Sequence, residues 1–150
     1  MSDDFYADPE ICQAILMDYY RNPRCSGVCN PATHAAEGRN PACGDIVKIT
    51  FQVENGNILQ ARTSGAGCAV SQAAASLLME RLEGRSTHTA QNVLAVLDQF
   101  LLAPPVDAPP FPHAEKLEKL SALSLILKNP ARVECARISL KAARTALGQF

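Results

Sequence analysis

The sequence lacks the features of a nucleic-acid-binding, membrane or secreted protein. Its 14 basic and 15 acidic residues leave a formal charge of −1, which offers no attraction to a polyanion. No apolar run approaches the roughly 20 residues that a membrane-spanning helix needs. The N-terminus, Met1-Ser2-Asp3-Asp4-Phe5, is acidic where a signal peptide is basic and then apolar. We therefore expect a cytoplasmic protein whose partners are other proteins.

The chain also lacks internal repeats, low-complexity tracts and a domain linker. Its 150 residues are enough for one domain with a real core and too few for two of ordinary size. Residues 104–112 contain five of the ten prolines and predict an extended connector, because too few residues follow to form a second core. We predict a single domain over residues 1–150.

No short Cys-x2-Cys pair is present, although the chain has six cysteines, at positions 12, 25, 29, 43, 68 and 135. In a reducing compartment thiols more often bind metal or do chemistry than form disulfides. A metal site must then collect ligands from distant parts of the fold. Cys12 lies on the apolar stripe of a helix, which favours core packing. Cys25 and Cys29, near His34, either form a loop metal site or are ordinary loop thiols, and we favour the second interpretation.

Polar and apolar residues alternate strictly from Asp45 onward, which predicts a half-buried strand. Turn residues at 55–57 and a second strand over 58–64 complete an antiparallel hairpin. A three-residue turn keeps both apolar faces together. It sets Val53 opposite Leu59, Phe51 opposite Ala61 and Ile49 opposite Thr63.

Extended to the open end of the hairpin, this register brings Cys68 opposite Gly44, next to Cys43 and Asp45. The glycines in Gly65-Ala66-Gly67 allow the backbone to leave the sheet tightly and approach an ion. Cys68 then begins a helix, where the exposed amides and the helix dipole stabilise a thiolate. Three candidate ligands therefore converge at one end of the hairpin.

Helix signals account for much of the remaining chain. Asp8 as N-cap and Pro9 at the first position begin a helix that closes at Asn22, and Asn129 and Pro130 begin the last helix in the same way. Apolar stripes predict the other helices, at 70–84, 93–101 and 117–127. The predicted fold class is α+β, with a small antiparallel sheet of about three strands covered by five or so helices.

Cys135 falls early in the last helix, just off its apolar stripe. Arg132 lies one turn before it on the same side, where its charge favours a thiolate. Cys43, Asp45, Cys68 and Cys135 would together provide three soft ligands and one hard ligand, a set that suits tetrahedral zinc and can also hold an iron-sulfur cluster. From spacing alone, a second interpretation stays open, in which Asp45 caps a turn and the cysteines are scattered core residues.

Three segments resemble the three cysteine motifs of the IscU/NifU-like family of iron-sulfur cluster assembly proteins. They are Pro41-Ala42-Cys43-Gly44-Asp45, Gly65-Ala66-Gly67-Cys68-Ala69-Val70-Ser71-Gln72-Ala73 and Pro130-Ala131-Arg132-Val133-Glu134-Cys135. Residues 16–24 are similar to the N-terminal segment of the family, so the resemblance covers nearly the whole chain in order.

Several features of the chain resemble the SufU branch of the family rather than its scaffold branch. Glu134 stands where the scaffold branch has a histidine directly before its third cysteine, and Arg132 is typical of SufU-type proteins. The chain lacks the Leu-Pro-Pro-Val-Lys segment of the scaffold branch. The 66 residues between Cys68 and Cys135 resemble the SufU-type insertion.

This resemblance implies an SufE/IscU-like fold and a zinc-containing sulfur acceptor rather than a free-standing enzyme. By family analogy Cys43, Asp45, Cys68 and Cys135 hold zinc, with Arg132 in support. A cysteine desulfurase of the SufS type, which uses pyridoxal phosphate, would dock and release Cys43 from zinc. Cys43 would then accept sulfur from the persulfide on the desulfurase. Downstream cluster assembly proteins would then take the sulfur. Two alternatives are a scaffold that assembles a [2Fe-2S] cluster on the same residues and a zinc-stabilised interaction module without sulfur chemistry.

Overall fold

The computed structural model describes residues 8–42, 44–102 and 116–148. These residues form a three-stranded antiparallel sheet in the order β1-β2-β3 and five helices. In chain order the elements are α1 (Pro9–Arg21), β1 (His34–Asn40), β2 (Asp45–Glu54), β3 (Asn57–Ala66), α2 (Ala69–Leu82), α3 (Thr87–Leu102), a 3-10 helix (Glu118–Ile126) and α4 (Pro130–Ala146). The predicted α+β class with its small sheet is confirmed. Cys43, residues 1–5 and the proline connector at 104–112 lie outside the described residues.

Side-chain caps begin the first and last helices where the sequence predicts them. The Asp8 carboxylate accepts the Glu10 N–H at 2.9 Å, and Pro9 occupies the first helical position. The Asn129 side chain accepts the N–H groups of Ala131 and Arg132. These caps satisfy amides that have no partner within the helix, so both predicted starting points are confirmed.

Helix α2 is the centre of the core, because it contacts α1, α4, the 3-10 helix and strands β2 and β3. Its buried residues surround the helix rather than forming one stripe, and many of them are small: Ser71, Ala73, Ala74, Ala75, Ser76, Leu77, Leu78, Met79 and Leu82. Small side chains allow the neighbouring elements to approach closely on several sides. The N-terminus of α2, which carries Cys68, is thereby held at a defined place beside the sheet.

Helix α4 lies on the sheet against β1 and β2. Gly38 of β1 makes this close packing possible, since a Cβ atom there would be 2.7 Å from the main-chain oxygen of Ile138. A distance this short forces the helix away from the strand. Gly38 therefore helps to place the first half of α4, including Cys135, close to the end of β1.

The hairpin register is confirmed at Phe51 opposite Ala61 and at Ile49 opposite Thr63, whereas the prediction near the turn is wrong. Val53 pairs with Ile58 and not with Leu59, and the turn contains two residues rather than three. Asn55 and Gly56 both have positive φ, the geometry that joins twisted antiparallel strands with least strain. Gln52 pairs with Gln60 and Val53 pairs with Ile58, so a bulge at this point leaves Leu59 as the extra residue of β3. Ile58 is buried and Leu59 is exposed.

Strand β1 pairs antiparallel with β2 along its whole length, from His34 opposite Phe51 to Asn40 opposite Asp45. The number of strands was predicted, but no sequence signal placed this one. Its residues alternate between half-buried and exposed, and the two half-buried positions in the middle of the strand, Ala36 and Gly38, have little or no side chain. In the part of the chain that the structure describes, no helix combines the length and apolar character needed to cross a membrane.

Candidate metal centre

Asp45, Cys68 and Cys135 come together at the open end of the β2-β3 hairpin. One carboxylate oxygen and the two sulfur atoms all lie within 4.8 Å of one another. Among residues 8–42, 44–102 and 116–148 this is the one group of three or more possible metal ligands. Sulfur atoms on one tetrahedral zinc ion are about 3.8 Å apart, given zinc-sulfur bonds of about 2.3 Å. The spacing of the three-donor group therefore fits a single ion.

Asp45 joins the sheet to helix α2. It is the first residue of β2, pairs with Asn40 of β1 and is only 3% exposed. Its Oδ1 atom accepts the backbone N–H of Cys68 at 3.0 Å. This hydrogen bond orients the carboxylate and holds the start of α2 against the start of β2, so two candidate ligands are positioned by one contact.

Two glycines allow the chain to pass this close to the carboxylate. A Cβ atom at Gly67 would lie 2.6 Å from Oδ1 of Asp45 and 2.7 Å from the Ser71 hydroxyl oxygen. At Gly65 the backbone has φ +136°, and a Cβ atom would lie 2.1 Å from the Ile46 carbonyl oxygen. The predicted tight exit from the sheet is confirmed, and no other residue type fits at either position.

Cys68 is the N-cap of α2, as the sequence predicts. Its sulfur accepts the Ser71 N–H at 3.5 Å, and its carbonyl oxygen accepts the Ser71 hydroxyl at 3.0 Å. The side chain is half-buried. The sulfur therefore lies at the positive end of the α2 dipole and beside the Ser71 amide.

Cys135 projects from the first half of α4 and is 5% exposed. The Asn40 side-chain amide donates to its sulfur at 3.9 Å. No signal in the sequence predicts this contact, although Asn40 directly precedes the motif that contains Cys43 and Asp45. Arg132 is exposed in the first turn of α4, and its backbone N–H donates to Asn129 Oδ1 at 3.3 Å. Its support of a thiolate at Cys135 stays a prediction.

Asn40 accepts hydrogen bonds from two residues of the turn between β1 and β2. The Ala42 N–H donates to Asn40 Oδ1 at 3.1 Å, and the Gly44 N–H donates to the Asn40 main-chain oxygen at 2.8 Å. Ala42 and Gly44 are exposed. Cys43 stands between them in the sequence and lies outside the described residues, so its roles as a ligand and as the sulfur acceptor stay predictions.

The remaining described cysteines lie apart from the three-donor group. Cys12 is 1% exposed with its sulfur 3.6 Å from the Ser124 hydroxyl, which confirms its predicted place in the core. Cys29 is buried, and its N–H and sulfur both contact Thr50. Cys25 is half-buried at φ +57°, with its carbonyl oxygen accepting the Thr63 N–H. Cys25, Cys29 and His34 form no group of metal ligands in the described part of the chain.

Cys25 is expected to be a slow nucleophile. Burial, followed by the charge of the nearby Glu83 carboxylate, raises the pKa of its thiol to about 11. At pH 8 its thiolate fraction falls about a hundredfold below that of an ordinary cysteine. Alkylation by iodoacetamide, followed by peptide mass spectrometry, should therefore modify Cys25 about a hundredfold faster in urea than in the folded protein. Equal rates would contradict the effect of burial.

Comparison with known proteins agrees with this geometry. Residues 12–108 match the family described as the NifU-like N terminal domain. The chain is 30% identical over 128 residues to the zinc-dependent sulfurtransferase SufU of Bacillus subtilis (strain 168), covering 85% of this chain and 83% of that protein. It is also 30% identical over 132 residues to the iron-sulfur cluster assembly scaffold protein IscU of Thermotoga maritima, covering 88% of this chain and 89% of that protein.

Two solved structures share the fold. The SUF-system protein FiSufU of Fervidobacterium islandicum AW-1 superposes with a TM-score of 0.73 at 24% identity, covering 89% of this chain and 93% of that one. The N-terminal part of a NifU-like protein from Brucella abortus superposes with a TM-score of 0.76 at 15% identity, covering 90% of each chain. The chain therefore belongs to the NifU-like N-terminal domain family of iron-sulfur cluster assembly proteins, within its group of SufU-type and IscU-type members.

Proposed function

We propose that this protein is a zinc-dependent sulfur acceptor, which takes persulfide sulfur from a cysteine desulfurase of the SufS type and passes it to iron-sulfur cluster assembly. The observation that supports this function best is the convergence of Asp45, Cys68 and Cys135, whose donor atoms lie within 4.8 Å of one another. One further ligand completes a set of four. The relative from Bacillus subtilis, at 30% identity, is named a zinc-dependent sulfurtransferase.

The donor set fits zinc. Two thiolates and one carboxylate repel one another at this separation, and a divalent cation offsets the repulsion. Asp45 and Cys135 are buried, where such compensation matters most, and Gly67 leaves room for the backbone beside the carboxylate. We propose Cys43 as the fourth ligand, in accordance with its place two residues before Asp45. When bound, zinc would keep the thiol groups deprotonated at neutral pH.

Cys43 is also the proposed sulfur acceptor. Cys135 is almost fully buried in α4, and Cys68 is fixed as the N-cap of α2, so neither sulfur is well placed to reach a second protein. The neighbours of Cys43, Ala42 and Gly44, are both exposed.

The transfer itself is a thiol-persulfide exchange. The Cys43 thiolate attacks the outer sulfur of the desulfurase persulfide, and a new sulfur-sulfur bond forms on Cys43. The old sulfur-sulfur bond breaks, and its electron pair leaves with the desulfurase cysteine as a thiolate. Arg132, exposed on the first turn of α4, is proposed to support this site electrostatically.

The proposed setting is the cytoplasm, and the proposed unit is one domain over residues 1–150. A reducing compartment keeps thiol ligands available for metal. The described elements pack around one continuous hydrophobic cluster, which supports a single folding unit.

A second candidate function is a scaffold on which a [2Fe-2S] cluster is assembled. The same donor set can hold such a cluster, because cysteine thiolates are its usual ligands. The relative from Thermotoga maritima, also at 30% identity, is named a scaffold protein. In this case iron and sulfide are the cargo, and Asp45 would make their retention weaker than four cysteines would.

Metal analysis and a desulfurase assay distinguish the two functions. Protein purified under strictly anaerobic conditions should be colourless, contain one zinc per chain, accelerate a SufS-type desulfurase and acquire one sulfur atom per chain by mass spectrometry. Brown protein that holds iron and sulfide and does not accelerate the desulfurase would overturn the sulfur-acceptor function in favour of the scaffold.

A further inference from the structure

We infer that Asn40 is a positioning residue that links Cys135 to the turn leading to Cys43; this inference rests on the proposed metal site. One side-chain amide makes two contacts. Its Nδ2 atom donates to the Cys135 sulfur at 3.9 Å, and its Oδ1 atom accepts the Ala42 N–H at 3.1 Å. The carbonyl oxygen of the same residue accepts the Gly44 N–H at 2.8 Å.

The chemistry of these contacts defines which way the amide points. The Ala42 N–H needs an acceptor, which only Oδ1 of the amide can provide. The Nδ2 donor must then face the Cys135 sulfur, and a rotated amide would lose both contacts. Asn40 is half-buried at the end of β1, where pairing with Asp45 holds its backbone. The orientation of the amide is therefore built into the end of the sheet.

The two contacts have different consequences for a metal at this site. An N–H directed at a ligating sulfur withdraws charge from it and restrains its position, and loss of such outer contacts typically weakens metal affinity about 10- to 100-fold. The Oδ1 contact restrains Ala42, the residue directly before Cys43 in the sequence. Asn40 thus retains the metal through Cys135 while it positions the turn that carries the proposed acceptor.

Asn40→Ser separates the two contacts. A serine hydroxyl can accept the Ala42 N–H in the same kind of turn, but it lacks the amide donor to Cys135. We expect the zinc-loaded variant to release zinc to a chromophoric chelator roughly tenfold faster than wild type. In protein loaded with cobalt(II), the sulfur-to-cobalt charge-transfer band should move to lower energy, because the sulfur has lost a hydrogen bond. A general loss of stability would lower the intensity of this band without moving it.

Asn57→Ser is the matched control. Asn57 is also a strand-end asparagine whose Nδ2 donates locally, to the Asn55 carbonyl oxygen at 3.3 Å, but it lies at the opposite end of the hairpin. It should release zinc at the wild-type rate and leave the cobalt band unchanged. Asn40→Thr, which also keeps a hydroxyl acceptor, is a second variant should the serine variant melt at a lower temperature without metal.

The outcomes separate this inference from the proposed function. If wild-type protein binds zinc and Asn40→Ser and Asn40→Thr both match it in release rate and cobalt band, the role of Asn40 is wrong and the metal site stands. If wild-type protein binds neither zinc nor cobalt(II), the proposed function fails, and the inference fails with it.

Discussion

Cys43→Ala is expected to reduce the desulfurase reaction to the rate of the desulfurase alone. Without this thiol no described cysteine replaces the acceptor, because Cys135 is almost fully buried and Cys68 is held at the start of α2. The measurement is alanine production from cysteine by a SufS-type desulfurase, with and without the variant. Mass spectrometry should find no added sulfur on the variant chain. The melting temperature of metal-free protein should match wild type, because Ala42 and Gly44 on either side are exposed.

Cys25→Ala is the matched control for this prediction. Cys25 is a half-buried thiol outside the helices and strands, and it is not part of the three-donor group. This variant should stimulate the desulfurase as wild type does. Cys135→Ala should lose zinc as well as stimulation, and so should Cys68→Ala. Full stimulation by Cys43→Ala would show that the acceptor is wrong, even though the family is right.

The sequence predicts that Asp45 and Cys68 lie side by side, because the error in the predicted turn does not change the strand pairing between Phe51 and the open end of the hairpin. The prediction assumed a three-residue turn, whereas the structure combines a two-residue turn with one bulge. Both arrangements use the same number of residues, and the bulge lies between the turn and Phe51. The pairing from Phe51 outward is therefore the one that the apolar faces require, and it carries Cys68 to the side of Asp45.

The contact between Asn40 and Cys135 could not be predicted in the same way. It joins residues that are 95 positions apart and depends on how closely α4 packs on β1. That distance is decided by the missing side chain at Gly38, in a strand whose small residues provide little periodic signal. Spacing alone left Cys135 open between a metal ligand and a core residue, and the family resemblance favoured the ligand, but only tertiary packing identifies its neighbours.

Removal of zinc is expected to lower the melting temperature by roughly 10 °C. A ligand at a thousandfold excess over its dissociation constant stabilises the folded state by about 4 kcal/mol. In a chain of this size, each 1 kcal/mol corresponds to about 2–4 °C. Zinc would join the start of β2, the start of α2 and the first half of α4, three elements that the Asp45 to Cys68 hydrogen bond links only in part. The measurement is calorimetry of zinc-loaded and chelator-treated protein, with metal content checked in both.

Substitutions of Asp45 separate the metal from the hydrogen bond. Asp45→Asn keeps an oxygen that can accept the Cys68 N–H but loses the charged ligand, so zinc should raise its melting temperature by less than it raises that of wild type. Asp45→Ala loses the acceptor as well, which leaves the Cys68 amide without this partner. Its free energy of unfolding should fall by a further 1–3 kcal/mol or about that. An unchanged wild-type melting curve after confirmed zinc removal would mean that the metal at this site serves chemistry alone, and that the three elements are held together by packing around α2.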